Sequence, residues 1–186
     1  MKFSKNLVFS FVLLVVVAAV YRIMPGRPWG FAPQIAMALF AGSVVKDRKY
    51  AFALPIFSMF ISDLIYQLLY VFGAGIIPGF YEGQLTNYIL FSLITVVGFF
   101  IKERSVFGIV AGSIAGPTLY FLTSNFLVWT SGGGLARPKT FEGLIMCFND
   151  ALPFYKTSII ATLFFSAILF GSYFFLVKPS KTSPAI

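Results

Sequence analysis

Asp63, Gln67 and Tyr70 fall at i, i+4 and i+7 in a long apolar run, so they share one helix face. A carboxylate in such a run is costly in lipid and turns toward a bundle interior or a wet cavity. There it pairs with a cation or holds a solute, and its amide and phenol neighbours add hydrogen-bonding capacity. The same residue types gather near the ends of other apolar runs: Asn87 and Tyr88; Tyr120, Thr123, Ser124, Asn125 and Trp129; Asp150, Tyr155 and Lys156. Connecting segments add Arg22, Arg27 and Trp29, then Tyr81 and Glu82, then Arg137 and Lys139. A few convergent polar groups on an aromatic wall are the chemistry of a small-molecule pocket. On this reading Asp63, Gln67, Asn87 and Asn125 supply hydrogen bonds. Trp29, Tyr81 and Trp129 stack on a flat or apolar part of the solute, and Arg22 or Arg137 meets a carboxylate or phosphate.

Other chemistries are excluded by what the chain lacks. It has no histidine and one cysteine, Cys147, so it offers neither an intrachain disulfide, imidazole catalysis nor a Cys/His zinc site. The run Gly132-Gly133-Gly134 is not followed by Lys-Ser or Lys-Thr and is no phosphate loop. Asp63 and Asp150 sit in no recognisable catalytic motif. The expectation is a protein that is not an enzyme and uses no cofactor or metal. Each candidate also has a purely structural reading: an interfacial aromatic belt for the Trp and Tyr residues, lipid-phosphate contacts for the arginines, and an internal ion pair for Asp63.

The elements that position these residues follow from hydropathy. The chain is 59% hydrophobic and 11% charged, with a mean hydropathy of +0.89. A soluble domain is about 45–50% apolar and about 25% charged. The fold class expected is all-α: a polytopic membrane protein forming one domain, a six-helix transmembrane bundle. Its spans are read at 7–23, 32–45, 50–72, 86–101, 105–130 and 152–177, with a long loop before the last. Gly108, Gly112 and Gly116 recur every fourth residue and make a bare face for close helix approach; Ala38 and Gly42 offer a second. Pro117 is expected to kink the fifth span. Val17-Ala18-Ala19 also fits a signal-peptide cleavage site, although the first run is read as a retained span.

The net charge of +8 is spread over short connections and is read as topology signalling, not as a nucleic-acid surface. Lys2, Lys5, Lys46, Arg48, Lys49, Lys102, Arg104, Lys178 and Lys181 fall on one side; Arg22, Arg27, Arg137 and Lys139 fall on the other, with Lys156 in the next helix. The bias places the N- and C-termini in the cytoplasm of a multi-pass inner-membrane protein. Polar residues then crowd the outward half of the spans and stop about midway. A channel or proton wire would carry them through the full thickness. An outward-facing pocket, lidded by three loops and floored by dry packing, accounts for the asymmetry.

Several motifs carry a resemblance: Arg22-x-x-Pro25, ALFAG at 38–42, Ser62-Asp63, SNFLVW at 124–129, GLIMCFNDALPF at 143–154 and LFG at 169–171. Together they resemble an uncharacterised family of small bacterial membrane proteins described as candidate transport proteins, over about residues 22–171. The layout is also similar to the S components of energy-coupling factor (ECF) vitamin transporters. Those have six helices, cytoplasmic termini and an outward pocket under the outer loops. The resemblance implies capture and uptake of a vitamin-like solute, with membrane lipid around the chain and a membrane partner subunit or a second copy beside it. S components dock through an Ala-x-x-x-Ala pattern on the first helix; here Ala18 and Ala19 are adjacent. The alternative is a non-transporting structural or assembly protein that uses the Gly108/Gly112/Gly116 face for partner contact.

Overall fold

The structure, a computed structural model, describes the backbone of residues 5–176 and the side chains of residues 12–175. Lys2, Lys5, Lys178 and Lys181, on which part of the expected orientation rests, lie outside the described side chains. Among the described residues every regular element is helical: α1 (Lys5–Ile23), α2 (Gln34–Val44), α3 (Arg48–Ala51), α4 (Ala53–Val71), α5 (Gln84–Gly98), α6 (Val106–Ser131) and α7 (Phe141–Leu176). Asp47 caps the single turn of α3 by accepting the Lys49 N–H, and α3 leads straight into α4. Arg48–Val71, Val106–Ser131 and Phe141–Phe175 are long and apolar enough to cross a membrane.

α2 and α5 are shorter, at 11 and 15 residues, or about 16 and 22 Å of helix. The short α2 is apolar all round, as a helix surrounded by others must be. It packs against α4, α5, α6 and α7, and eight of its residues are buried. Ile35, Leu39, Met59, Phe91, Ile94, Ile101, Ile109 and Phe170 form the main core around it. A second cluster joins α1 to the bundle through Val15, Ala18, Met37, Ala41 and Leu54. Ala18 and Ala19 are therefore buried packing residues, so the bundle as folded includes the segment around the suggested cleavage site.

The closest helix contact forms at the second expected face, Ala38 and Gly42, and not at the glycine face of α6. A Cβ on Gly42 would lie 2.2 Å from the Thr95 carbonyl oxygen, and one on Gly98 would lie 2.6 Å from that of Leu39. The α2 and α5 backbones thus touch through Gly42 and Gly98, with Ala38 buried beside them. The glycine face of α6 instead receives side chains. Ile101 fills the space over Gly112, Ile35 and Leu39 fill that over Gly116, and Gly108 meets its own cap residue Ser105 and, less closely, Ile101. Pro117 is buried inside α6 without ending it; the helix runs on to Ser131.

The last helix corrects the expected boundary. It begins at Phe141, eleven residues before the expected 152, so Glu142, Cys147, Asn149 and Asp150 are helical rather than loop residues. Thr140 starts it: its hydroxyl accepts the Gly143 N–H at 3.2 Å and its carbonyl accepts the Leu144 N–H at 3.0 Å. Proline is favoured in a first turn and costs a hydrogen bond in an interior, yet Pro153 is interior here.

Candidate functional site

The connections 24–33, 72–83 and 132–140 meet at one end of the bundle, here the loop end. Asp63 lies about 12 Å short of the loop-end terminus of α4 by helix rise. It is 1% exposed. The Arg22 guanidinium, from the last turn of α1, pairs with its Oδ1 and also donates to the Ser62 hydroxyl. Its Oδ2 accepts from the Gln84 amide and from the Tyr88 hydroxyl, the latter at 2.7 Å. A buried carboxylate with one cation and two neutral donors is a satisfied group.

The chain is built to keep Arg22 there. Tyr66 donates to the Arg22 carbonyl at 2.8 Å, and the same oxygen accepts from Arg27 Nε at 3.2 Å. This ties down a carbonyl at the end of α1 that has no helical partner. The 72–83 connection folds back over Asp63. Gln67 Oε1 accepts the N–H groups of Gly79 and Phe80 at 3.2 Å each. Gly79 is required at this point, because a Cβ there would lie 1.7 Å from the Asp63 carbonyl oxygen.

From Asp63 the hydrogen bonds lead outward. Asn87 Nδ2 donates to Gln84 Oε1 at 3.3 Å and to the Tyr81 hydroxyl at 2.7 Å. Asn87 Oδ1 accepts from the Tyr120 hydroxyl at 2.9 Å. Tyr81, Asn87 and Tyr120 stand on the wall of an open cleft of about 960 Å³ between the start of α5 and the second half of α6. Glu82, Thr86, Ser124, Thr130, Ser131 and Gly132–Gly134 line the rest with Leu90, Leu127 and Val128. Tyr120, Ser124, Leu127 and Ser131 lie on one face of α6 by helical spacing. Burial against this wall pushes the Tyr81 phenol above its usual pKa, with the Asp63 charge adding to the effect and Arg22 and Asn87 opposing it. The phenol therefore stays a donor at neutral pH.

The expected site residues divide into two groups. Asp63, Arg22, Asn87 and Tyr81 come together, and Gln67 holds the loop above them. Tyr70 is exposed. Trp29, Asn125, Trp129 and Arg137 do not line the cleft. Trp29 is 66% exposed. Asn125 donates to the Phe121 carbonyl of its own helix at 2.7 Å. Trp129 donates to the Pro138 carbonyl at 2.8 Å and carries Lys139 over its ring at 5.4 Å. Arg137 is held by Asp150 through two hydrogen bonds at 2.9 and 3.0 Å, which raise its pKa further. With Arg22 on Asp63 and Arg137 on Asp150, neither guanidinium stands in the cleft to meet an anion. Among the described residues no three His, Cys, Asp or Glu side chains gather as metal ligands would.

Sequence reasoning passed over Gln84, and it noted Tyr88 and Tyr120 without assigning them to the site. Gln84 follows Gly83, which is left-handed at φ 87° and turns the chain into α5. A Gly-Gln step before an apolar run was the available signal for a first turn at Gln84; its bond to Asp63 is what shows the side chain facing α4.

Residues 2–185 match a family of unknown function, DUF6580, and the chain belongs to that family. No curated protein matches the chain. No solved structure matches it either.

Proposed function

We propose that this protein is a multi-pass inner-membrane protein, with both termini in the cytoplasm, that captures a small vitamin-like solute from outside and assists its uptake. In this reading the loop end faces outward and the cleft between α5 and α6 is the solute site. The observation that carries it is the arrangement of the cleft wall. Tyr81, Asn87 and Tyr120 are held in one hydrogen-bond array that ends on the buried Arg22–Asp63 pair. Preset polar groups on a wall of this size are suited to binding a small molecule.

Below the array, Ile94, Leu39, Met59 and Phe170 belong to one buried apolar cluster, and the buried hydroxyls there are bonded within the bundle, Ser113 to Ser166 and Thr95 to the Phe91 carbonyl, which suits a floored pocket more than a pore. The short α2 crosses inside a sheath of longer helices, so its length need not match the bilayer. The likeness to S components belongs to this proposal as one of layout.

Two measurements test it. Purified full-length protein is screened for thermal stabilisation against a broad panel of vitamins and cofactors; a bound solute raises Tm by mass action. No shift across the panel, with intact function in the Asp63→Asn variant, ends the uptake reading. Orientation is tested with single cysteines at positions 81 and 103 in a Cys147→Ser background. Labelling of position 81 from outside the cell and of position 103 only after permeabilisation is expected, and the reverse refutes the orientation.

A further inference from the structure

The hydrogen-bond array has a direction, and the direction reaches the cleft. Carboxylate oxygens only accept, so Gln84 must turn its NH2 toward Asp63 and its Oε1 away. That oxygen accepts from Asn87 Nδ2, so the Asn87 amide is oriented in turn, and its Oδ1 accepts from the Tyr120 hydroxyl. The second Nδ2 hydrogen goes to the Tyr81 oxygen. Tyr81 is thus an acceptor within the array, and among the described residues no acceptor meets its own O–H. Tyr120 is a donor within the array and keeps lone pairs on its oxygen. The array therefore offers a solute one O–H donor, from Tyr81, and one oxygen acceptor, from Tyr120, beside the Thr86, Ser124, Thr130 and Ser131 hydroxyls of the lining.

The cleft lining itself carries one charged side chain, and it is an acid. No Lys or Arg lines the cleft, whereas Glu82 does. Arg22 is on Asp63, Arg137 on Asp150, and Lys139 lies over Trp129 on the flank of the 132–140 connection. The Lys139 ammonium lies 4.0 Å from where a Cβ on the cleft-lining Gly132 would stand, but it is held over Trp129, so an anion entering the cleft finds no guanidinium on the wall and faces the Glu82 carboxylate.

We infer that the cleft selects an uncharged solute presenting an acceptor and a donor side by side, as a carboxamide or hydroxyl does, and rejects the matching carboxylate. This inference rests on the uptake reading and names the solute class for it. The expectation of an arginine-bound carboxylate or phosphate is replaced by a neutral group on two phenols.

The test uses isosteric acid and amide pairs on the purified full-length protein: nicotinamide with nicotinate, lipoamide with lipoate, and biotinamide with biotin. Thermal shift and calorimetry are read on each. The expected result is stabilisation by at least one amide, with the acid about tenfold weaker or more. Tyr81→Phe, which removes the donor and keeps the ring, is expected to weaken that amide about tenfold. Equal or tighter binding of the acids overturns the inference and leaves the uptake reading standing. Amide binding unaffected in a folded Tyr81→Phe variant also overturns it. No binding by any member, together with silence of the wider vitamin panel and intact function in Asp63→Asn, removes the uptake reading and this inference with it. The comparison within each pair needs no variant, so it holds even if Tyr81→Phe misfolds.

Discussion

Arg22–Asp63 and Arg137–Asp150 are the same chemical pair, and both lie at the loop end of the bundle. In the first, Asp63 is 1% exposed and the guanidinium 20%. In the second, both side chains are 34% exposed. The second has the better-formed bidentate geometry, yet solvent competes for it and salt screens it. The first has three different donors on one carboxylate and little water to replace any of them. Removing either member would leave the other buried and unpaired, which is the costly case. The difference teaches that depth and neighbours, not the identity of the pair, decide which arginine organises the site. Arg22 anchors an array spanning α1, α4, α5 and α6; Arg137 ties one loop to α7.

The comparison makes Asp63→Leu the most damaging change, with an expected loss of about 3–5 kcal/mol of stability. It is checked by thermal or denaturant unfolding in detergent. The Arg22→Met, Asp63→Leu double variant should recover much of that loss; if it unfolds as readily as the single variant, the unpaired charge is not the cause. Gly42→Ala is the control from the dry half. Its added Cβ meets the Thr95 carbonyl oxygen, and the overpacking should cost about 1–3 kcal/mol. That loss should not vary with salt, and a salt-dependent loss would mean that charge reaches deeper than the geometry indicates.

Asn87→Leu cuts the array between the ion pair and the cleft. It should cost about 1–2 kcal/mol and abolish solute stabilisation while Asp63 keeps Arg22, Gln84 and Tyr88. Retained solute binding would separate the cleft from the array. A smaller effect is expected from Tyr81 at high pH. Its folded pKa is raised above the unfolded value of 10.0, so its contribution is complete below pH 10 and is lost as pH rises through the folded pKa. Phenolate absorbance should therefore show one fewer late-titrating tyrosine in Tyr81→Phe than in wild type. Arg137→Gln should leave Tm unchanged at physiological salt. A marked drop there would erase the contrast between the two pairs.

Much of this was legible from residue types, and the remainder depended on partners distant in the chain. Asp63 stands out because a carboxylate in an apolar run needs a partner, and Arg22 was among the cations available to it. Its other two partners were not legible. Gln84 opens α5 after a glycine-rich connection, and nothing in the local pattern says that its side chain points back at α4. The glycines show the same limit. Gly108, Gly112 and Gly116 form a regular local pattern, whereas Gly42 and Gly98 are isolated in separate runs; yet the second set makes the backbone contact. The start of α7 was obscured because Pro153 is compatible with either a first turn or an interior position, and Thr140 and Glu142 were the weaker signals that proved structural.

Composition and spacing alone determined an all-helical, strongly apolar chain without imidazole or disulfide chemistry, with its polar residues near one end of its helices. These properties depend on residue type and on the 3.6-residue period, both of which are local. The tertiary structure decided which arginine neutralises Asp63, which amide faces the cleft and which glycines touch. Those outcomes depend on how helices distant in sequence pack, and packing rewards the mutual fit of side chains that no single segment contains.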